Sequence, residues 1–338
     1  MPGSPDIFMK KSPFSPVAND GERALYMQKP PNTPTMTAKH LLLLCCAAAL
    51  TACSVNLRST SDQEAATLSA DAPAVVRDYS VPAFTGLQAS GAIRVECLPP
   101  AAEGQRVSVS APAEFLPYLK VKVEDQMLCV EYEGLQVSGS NAGHTKFELG
   151  GRTFTSRASL EQALNTHVTL HTALPRNVSA SAGARITVPH STSCDQPFSL
   201  SLSSGASLHS KGTLTLKREA NIALSSGALW QVDDFDGHTV NCAVSSGSSV
   251  QGRLRACTDL QVAASSGAAV MLKGSCTQAN LVATSGAELD LADMKARKVQ
   301  ASASAGGEIH SPLTDELAFG QSSGGSVRWK GRPRVTRL

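Results

Sequence analysis

The chain has 338 residues with 30 basic and 28 acidic side chains, and only 4% of it is aromatic while Gly, Ser and Ala abound. Such a composition excludes a bulky-cored enzyme and suits a stack of thin repeats built from aliphatic and small residues. Residues 1–53 hold five basic and three acidic residues, so the remainder carries 25 of each sign, and a chain cut there gives no electrostatic case for binding nucleic acid.

Residues 1–35 are polar and Pro-rich and precede a complete targeting signal; they read as unstructured or as a mis-assigned start. From Met36 the sequence runs "MTAKHLLLLCCAAALTACS". A basic start (Lys39, His40) leads into an apolar run, Leu41 to Leu50, that is shorter than the ~20 residues a spanning helix needs. It reads as a secretory h-region. "LTAC" resembles the bacterial lipoprotein box, which implies cleavage before Cys53 and lipidation of that residue. Cys45 and Cys46 do not qualify, because Leu44 precedes the pair. Residues 36–53 are thus expected to be a lipoprotein signal, and 54–77, polar and Ala-rich, a tether to the membrane. Ser54 supplies no acid for inner-membrane retention, so the outer membrane is the expected location, facing either the periplasm or the outside.

Residues 78–166 read as an N-terminal β region. "FTGLQASGAIRVEC" (Phe84 to Cys97) contains an SGA turn, and the alternating valines of "LKVKVEDQMLCVEYEGLQV" around Glu124-Asp125-Gln126 predict a hairpin. Residues 139–159 break the pattern and are expected to form a loop or an inserted hairpin.

Residues 167–338 carry a repeat. Glycines preceded by a small pair recur at Gly183, Gly205, Gly227, Gly247, Gly267, Gly286, Gly306 and Gly324, at separations of 22, 22, 20, 20, 19, 20 and 18. Two residues before each stands Ser or Thr; one after stands Ala, Ser or Gly; three after stands an apolar residue, from Ile186 and Leu208 to Val327. Period-two alternation flanks each turn, as in Phe198, Leu200 and Leu202. Units of about twenty residues with short strands bury their apolar faces only by stacking, so the fold class is all-β, a β-solenoid with ladders ~4.8 Å apart. The small columns are expected to fit a crowded corner, with glycine supplying the backbone angles and the hydroxyls bonding turn amides. Valine at Gly247 should then destabilise the neighbouring coils.

Chemistry is sparse. "DDFDGH" (Asp233 to His238) is the best enzyme candidate, yet no second carboxylate cluster recurs at its offset in the next coil; it reads as a solvated loop. His209 and His310 share an offset but lie five coils apart, and no serine has a recognisable base. No catalytic set, metal site or cofactor is expected. Among Cys97, Cys129, Cys194, Cys242, Cys257 and Cys276 no CxxC pair occurs. Cys257 and Cys276, each ten residues before a turn glycine, would be neighbours, as a disulfide or as two buried thiols. The ending "RWKGRPRVTRL" reads as a solvated tail.

The strand pattern of residues 84–97, the hairpin and the serial small-small-Gly turns resemble a bacterial lipoprotein family, the auto-transporter adhesin head or GIN domain, over about residues 78–335. The resemblance implies a right-handed β-helix of pectate-lyase-like architecture without catalytic residues, and a role in adhesion. The expected function is a lipid-anchored, non-catalytic module for adhesion or surface binding, its partners the membrane and a glycan or other surface polymer. The alternatives are a polysaccharide-active enzyme and a periplasmic scaffold or lipid-binding protein.

Overall fold

A computed structural model of the chain describes residues 74–102, 104–139 and 145–338. The segment 1–35, the signal with Cys53 and residues 54–73 of the tether lie outside the described residues. The strand Ala74–Tyr79 begins inside the stretch read as tether and pairs antiparallel with Arg106–Pro112.

The repeats form a β-solenoid in which every coil has three walls. Strand Ser207–Leu224 shows why: its pairing with Leu229–Val244 is in register over three stretches, interrupted between Ser210 and Thr213 and between Leu216 and Glu219. Those two interruptions and the glycine corner turn the chain from one sheet to the next. The first sheet precedes the corner, the second follows it, and the third returns the chain.

Inward columns follow from the alternation in the sequence. In the first sheet Leu200, Ile222, Cys242, Val262 and Leu281 stack in successive coils. In the second, Leu208, Trp230, Val250, Val270 and Leu289 do so. All ten are buried, and each column repeats a shape, so a side chain packs on its equivalent one coil away.

The corners differ from expectation in mechanism. The non-glycine residue before each glycine also has positive φ, from 48° at Ser323 to 55° at Ser226, followed by glycine at 69° to 80°. Ala206 N donates to Ser203 O at 3.0 Å, so each corner has the dihedral signature of a type I′ turn. The corners are not crowded at the glycine: a Cβ on Gly227, Gly247, Gly267 or Gly286 would meet nothing within 4 Å. Crowding falls one residue later, where a Cβ on Gly307 would lie 2.4 Å from Ala283 O; Ala206, Ala228 and Ala268 fill that position, fully buried.

The hydroxyls satisfy few turn amides: Ser248 Oγ accepts from Ala228 N at 3.2 Å. The glycine N–H instead donates to a carbonyl of the next corner: Gly205 to Ser226, Gly227 to Ser246, Gly247 to Ser266, Gly267 to Ser285, Gly286 to Ala305 and Gly306 to Ser323, at 2.9 to 3.2 Å. Each acceptor carbonyl belongs to the same peptide unit as the next donor N–H. Of the hydroxyls, Ser181 donates to Ser90 at 3.1 Å, and the buried Ser225 Oγ has no partner. Small size is what that column contributes.

Stacking begins before the boundary expected at residue 167. Gly86–Ser90 and Ile93–Leu98 lie in register with Asn177–Ser181 and Arg185–Val188, so the Gly91 turn belongs to the stack. The hairpin forms as expected, Leu119–Glu124 against Met127–Tyr132, with Asp125 and Gln126 both at positive φ. Met127–Tyr132 then pairs with Gly86–Ser90, and Thr166–His171 with Ile93–Leu98. Residues 133–165 therefore stand where a corner would, and the O–H of Tyr132 donates to Thr166 across their base.

That excursion holds a small antiparallel sheet, Gln136–Gly139, Thr145–Leu149 and Arg152–Phe154, which is the inserted hairpin of the two expected alternatives, and a helix, Arg157–Leu164, that was not foreseen. Ser156 caps it, accepting from Ser159 N at 3.1 Å, and Leu160 and Leu164, four apart, bury its inner face. The helix lies over the first corners: a Cβ on Gly183 would fall 1.0 Å from Arg157 Nη2, and one on Gly205 2.9 Å from its Nη1. Glu161 joins Arg157 at 3.0 Å and Arg185 at 2.9 Å.

Candidate binding faces

Outward residues of the three walls are the surfaces available for function. On the first sheet Asn221, Asn241, Gln261, Asn280 and Gln300 form one column. Asn241 Nδ2 donates to Asn221 at 3.0 Å and to Glu219 at 2.8 Å. Amides that bond along a ladder stabilise the stack, and this column is read as structural.

The third sheet carries charge. Asp233 to His238 lie here, in strand Leu229–Val244 rather than in a solvated loop. Phe235 is buried, Asp234 lies 3.6 Å from Arg253, and Gly212 N donates to Asp233 at 3.3 Å. Asp233 and Asp234 thus face protein groups, and among the described residues no three His, Cys, Asp or Glu side chains converge as a metal group would require. His209 sits 3.8 Å from Asp233, while His310 lies 3.0 Å from Glu308 and 3.8 Å from Asp290. The two histidines are in separate local ion networks and share no site.

In the following coils the same wall is basic. Arg253 and Lys273 are register partners, and Lys295 stands beside Ser275. With Arg255 they cover three coils and are exposed; Arg297 follows at the bend, and Lys298, also exposed, already belongs to the first sheet, in register with Gln278 and Glu316. Arg253 pairs with Asp234, and Lys273 with Asp293 at 3.3 Å; among the described residues Arg255, Lys295, Arg297 and Lys298 make no ion pair. Like charges opposite one another in a ladder cost roughly 0.5 kcal/mol each. Asp234 and Asp293 offset that cost for Arg253 and Lys273, whereas Arg255, Lys295 and Arg297 are exposed without such a partner and have no structural reason to be basic. Net charge hid the basic wall; the signal in the sequence is that Arg253 and Lys273 each follow a corner glycine by six residues.

Cys257 and Cys276 are unbridged thiols, and all six described cysteines are buried. Burial pushes the Cys257 thiol up to about 12, helped by Cys276 and Asp259, and the Cys276 thiol up to about 11. Iodoacetamide at pH 8 should leave both unmodified in the native protein and label both after denaturation without reductant. Labelling that appears only after reduction would establish a bridge instead.

The ending is not a loose tail. Ser326–Arg328 pairs with Glu308–His310, Arg334–Arg337 pairs with Leu313–Gln321, and Trp329 packs on Phe319 with ring centroids 5.1 Å apart.

The wound architecture recurs in solved structures. A "putative adhesin" from Parabacteroides distasonis is 14% identical, with TM-score 0.55 over 80% of this chain and 94% of that one. A "putative adhesin" from Parabacteroides merdae and a "putative lipid binding protein" from P. distasonis are each 12% identical with TM-score 0.47, over 78% of this chain and 95% and 92% of theirs. The first of these three, at 14% identity, is a likeness of fold. No curated protein matches the sequence. The family model described as "putative auto-transporter adhesin, head GIN domain" matches residues 83–333, and the chain belongs to that family.

Proposed function

We propose that this protein is an exported, lipid-anchored and non-catalytic module that holds an anionic polymer of a cell surface against the third wall of its solenoid. The observation that carries the reading is the group of exposed cations without an ion pair, Arg255, Lys295 and Arg297, beside Arg253 and Lys273. Strand stacking sets the coils of Arg253 and Arg255, of Lys273, and of Lys295 and Arg297 ~4.8 Å apart along the axis. A linear polyanion can neutralise several of them at once, and weak contacts then add through multivalency. Cys53, read as the lipid attachment point, would keep the module on the outer membrane, with residues 54–73 as its reach. The sequence signal and the adhesin family support that placement.

The purified protein is expected to bind dextran sulfate and not neutral dextran, with affinity falling steeply as salt rises. The triple variant Arg255→Glu/Lys295→Glu/Arg297→Glu should lose at least tenfold in affinity while keeping its Tm, since the replaced residues are exposed. Trypsin added to intact cells should remove the protein if the polymer is met outside. Equal binding by the triple variant would sink the assignment of this wall.

A further inference from the structure

At the C-terminal end, three successive coils place Asp290, His310 and Arg328 in register on the second sheet. Beside them opens a cavity of about 360 Å³, lined by these residues with Asp293, Trp329 and Lys330 among others. The chain has two tryptophans. Trp230 is buried in the core, whereas Trp329 is 38% exposed at this cavity and rests against Phe319. A part-exposed aromatic ring held by a neighbouring ring, within a pocket at the small end of the ligand-binding range, suits a single flat ring with an apolar face.

The rim narrows the chemistry. Asp290 and Asp293 offer acceptors, and Arg328, Lys330 and His310 offer donors. Asp290 spends one oxygen on Ala292 N at 3.2 Å, Asp293 lies 3.3 Å from Lys273, and Arg328 lies 2.6 Å from Glu308. Two carboxylates face two permanent cations, so the lining has no net charge to attract an ion. It has alternating donors and acceptors, the pattern that a ring bearing several hydroxyls satisfies, because each hydroxyl both donates and accepts.

We propose that this pocket binds a neutral pyranose, its C–H face on the Trp329 indole and its hydroxyls shared between Asp290 and Asp293 on one side and Arg328 and Lys330 on the other. The site goes beyond the polyanion face: it takes one sugar ring, and because the ligand is uncharged its affinity is insensitive to salt. It gives an adhesive surface a means of choosing among polymers by a neutral unit, while the cation row supplies attraction without choice.

The test titrates the purified full-length protein with the methyl glycosides of glucose, galactose, mannose and N-acetylglucosamine, following tryptophan emission. At least one should give a saturable change whose midpoint moves less than twofold between 0.1 and 0.5 M NaCl. Trp329→Ala should abolish the change. Because that variant also loosens the end of the stack, Asp293→Ala/Lys330→Ala, exposed rim residues away from the Phe319 contact, should weaken binding at least fivefold at unchanged Tm. No response to any of the four glycosides, or full affinity in the double rim variant, overturns the site. Dextran sulfate binding measured on the same samples separates the two ideas, since loss of one response with survival of the other rejects only the corresponding site.

Discussion

Replacing Trp230 with alanine is expected to cost about 3–5 kcal/mol, the range for emptying a large aromatic from a rigid core. The side chain is 1% exposed, sits in the inward column between Leu208 and Val250, and meets Phe235 of the third sheet at 5.4 Å between centroids. Neighbouring coils are held in register along all three walls, so the cavity cannot close by moving one strand. The loss should appear as a drop on the order of 10 °C in Tm by calorimetry. Trp230→Phe provides the control. The indole Nε1 has no hydrogen-bond partner, so phenylalanine removes an unsatisfied donor as well as volume, and the two effects partly offset. That variant should lose less than half of what alanine loses. A Tm for Trp230→Ala within 2 °C of the parent would mean that the core is not stacked as described.

The second large effect concerns two glycines that look alike in the sequence. Gly274 has φ +113°, and a Cβ there would lie 1.8 Å from the carbonyl oxygen of Leu254, its register partner. Backbone strain and a backbone clash act together, and Gly274→Ala should cost about 3 kcal/mol or more. Gly247 has φ +69° and open space around its would-be Cβ. Gly247→Ala should cost about 1 kcal/mol from the left-handed conformation alone, and Gly247→Asn less, because Asn tolerates that region. Urea melts of the three variants decide the matter. Equal losses at both positions would show that crowding, not φ, governs the corners.

The repeat was legible because stacking imposes one constraint eight times, so each column of small or apolar residues reports its own packing. What a single column cannot report is which residue bears the strain. The positive φ of Ser204 or Ser226 leaves no trace in a serine, and crowding one residue past the glycine looks the same in sequence as crowding at it. Residues 133–165 were opaque for the opposite reason: they occur once. Their helix was marked only by Leu160 and Leu164 and by Ser156 ahead of them. The Asp233–His238 stretch misled because Asp-Gly is turn chemistry, yet Phe235 stacks on Leu214 and Leu254 and holds the segment in a strand. The basic wall emerges only once coil register sets Arg253 beside Lys273, and Trp329 was masked by the cations around it.

The peptide units bonded head to tail along the corners carry one further consequence. From Gly205 to Gly306 six N–H groups donate to the following corner, the last to Ser323 O, so the peptide units they link are aligned along the edge of the solenoid and polarise one another in the same sense. The edge has an electrical direction, with its negative pole at the first coils and its positive pole at the last, as a helix has along its axis. The Arg157 guanidinium, brought by the one α-helix among the described residues, rests over Gly183 and Gly205 at the negative pole. The excursion that interrupts the stack thereby supplies the counter-charge for its most regular row, which ties the least repetitive part of the sequence to the most repetitive.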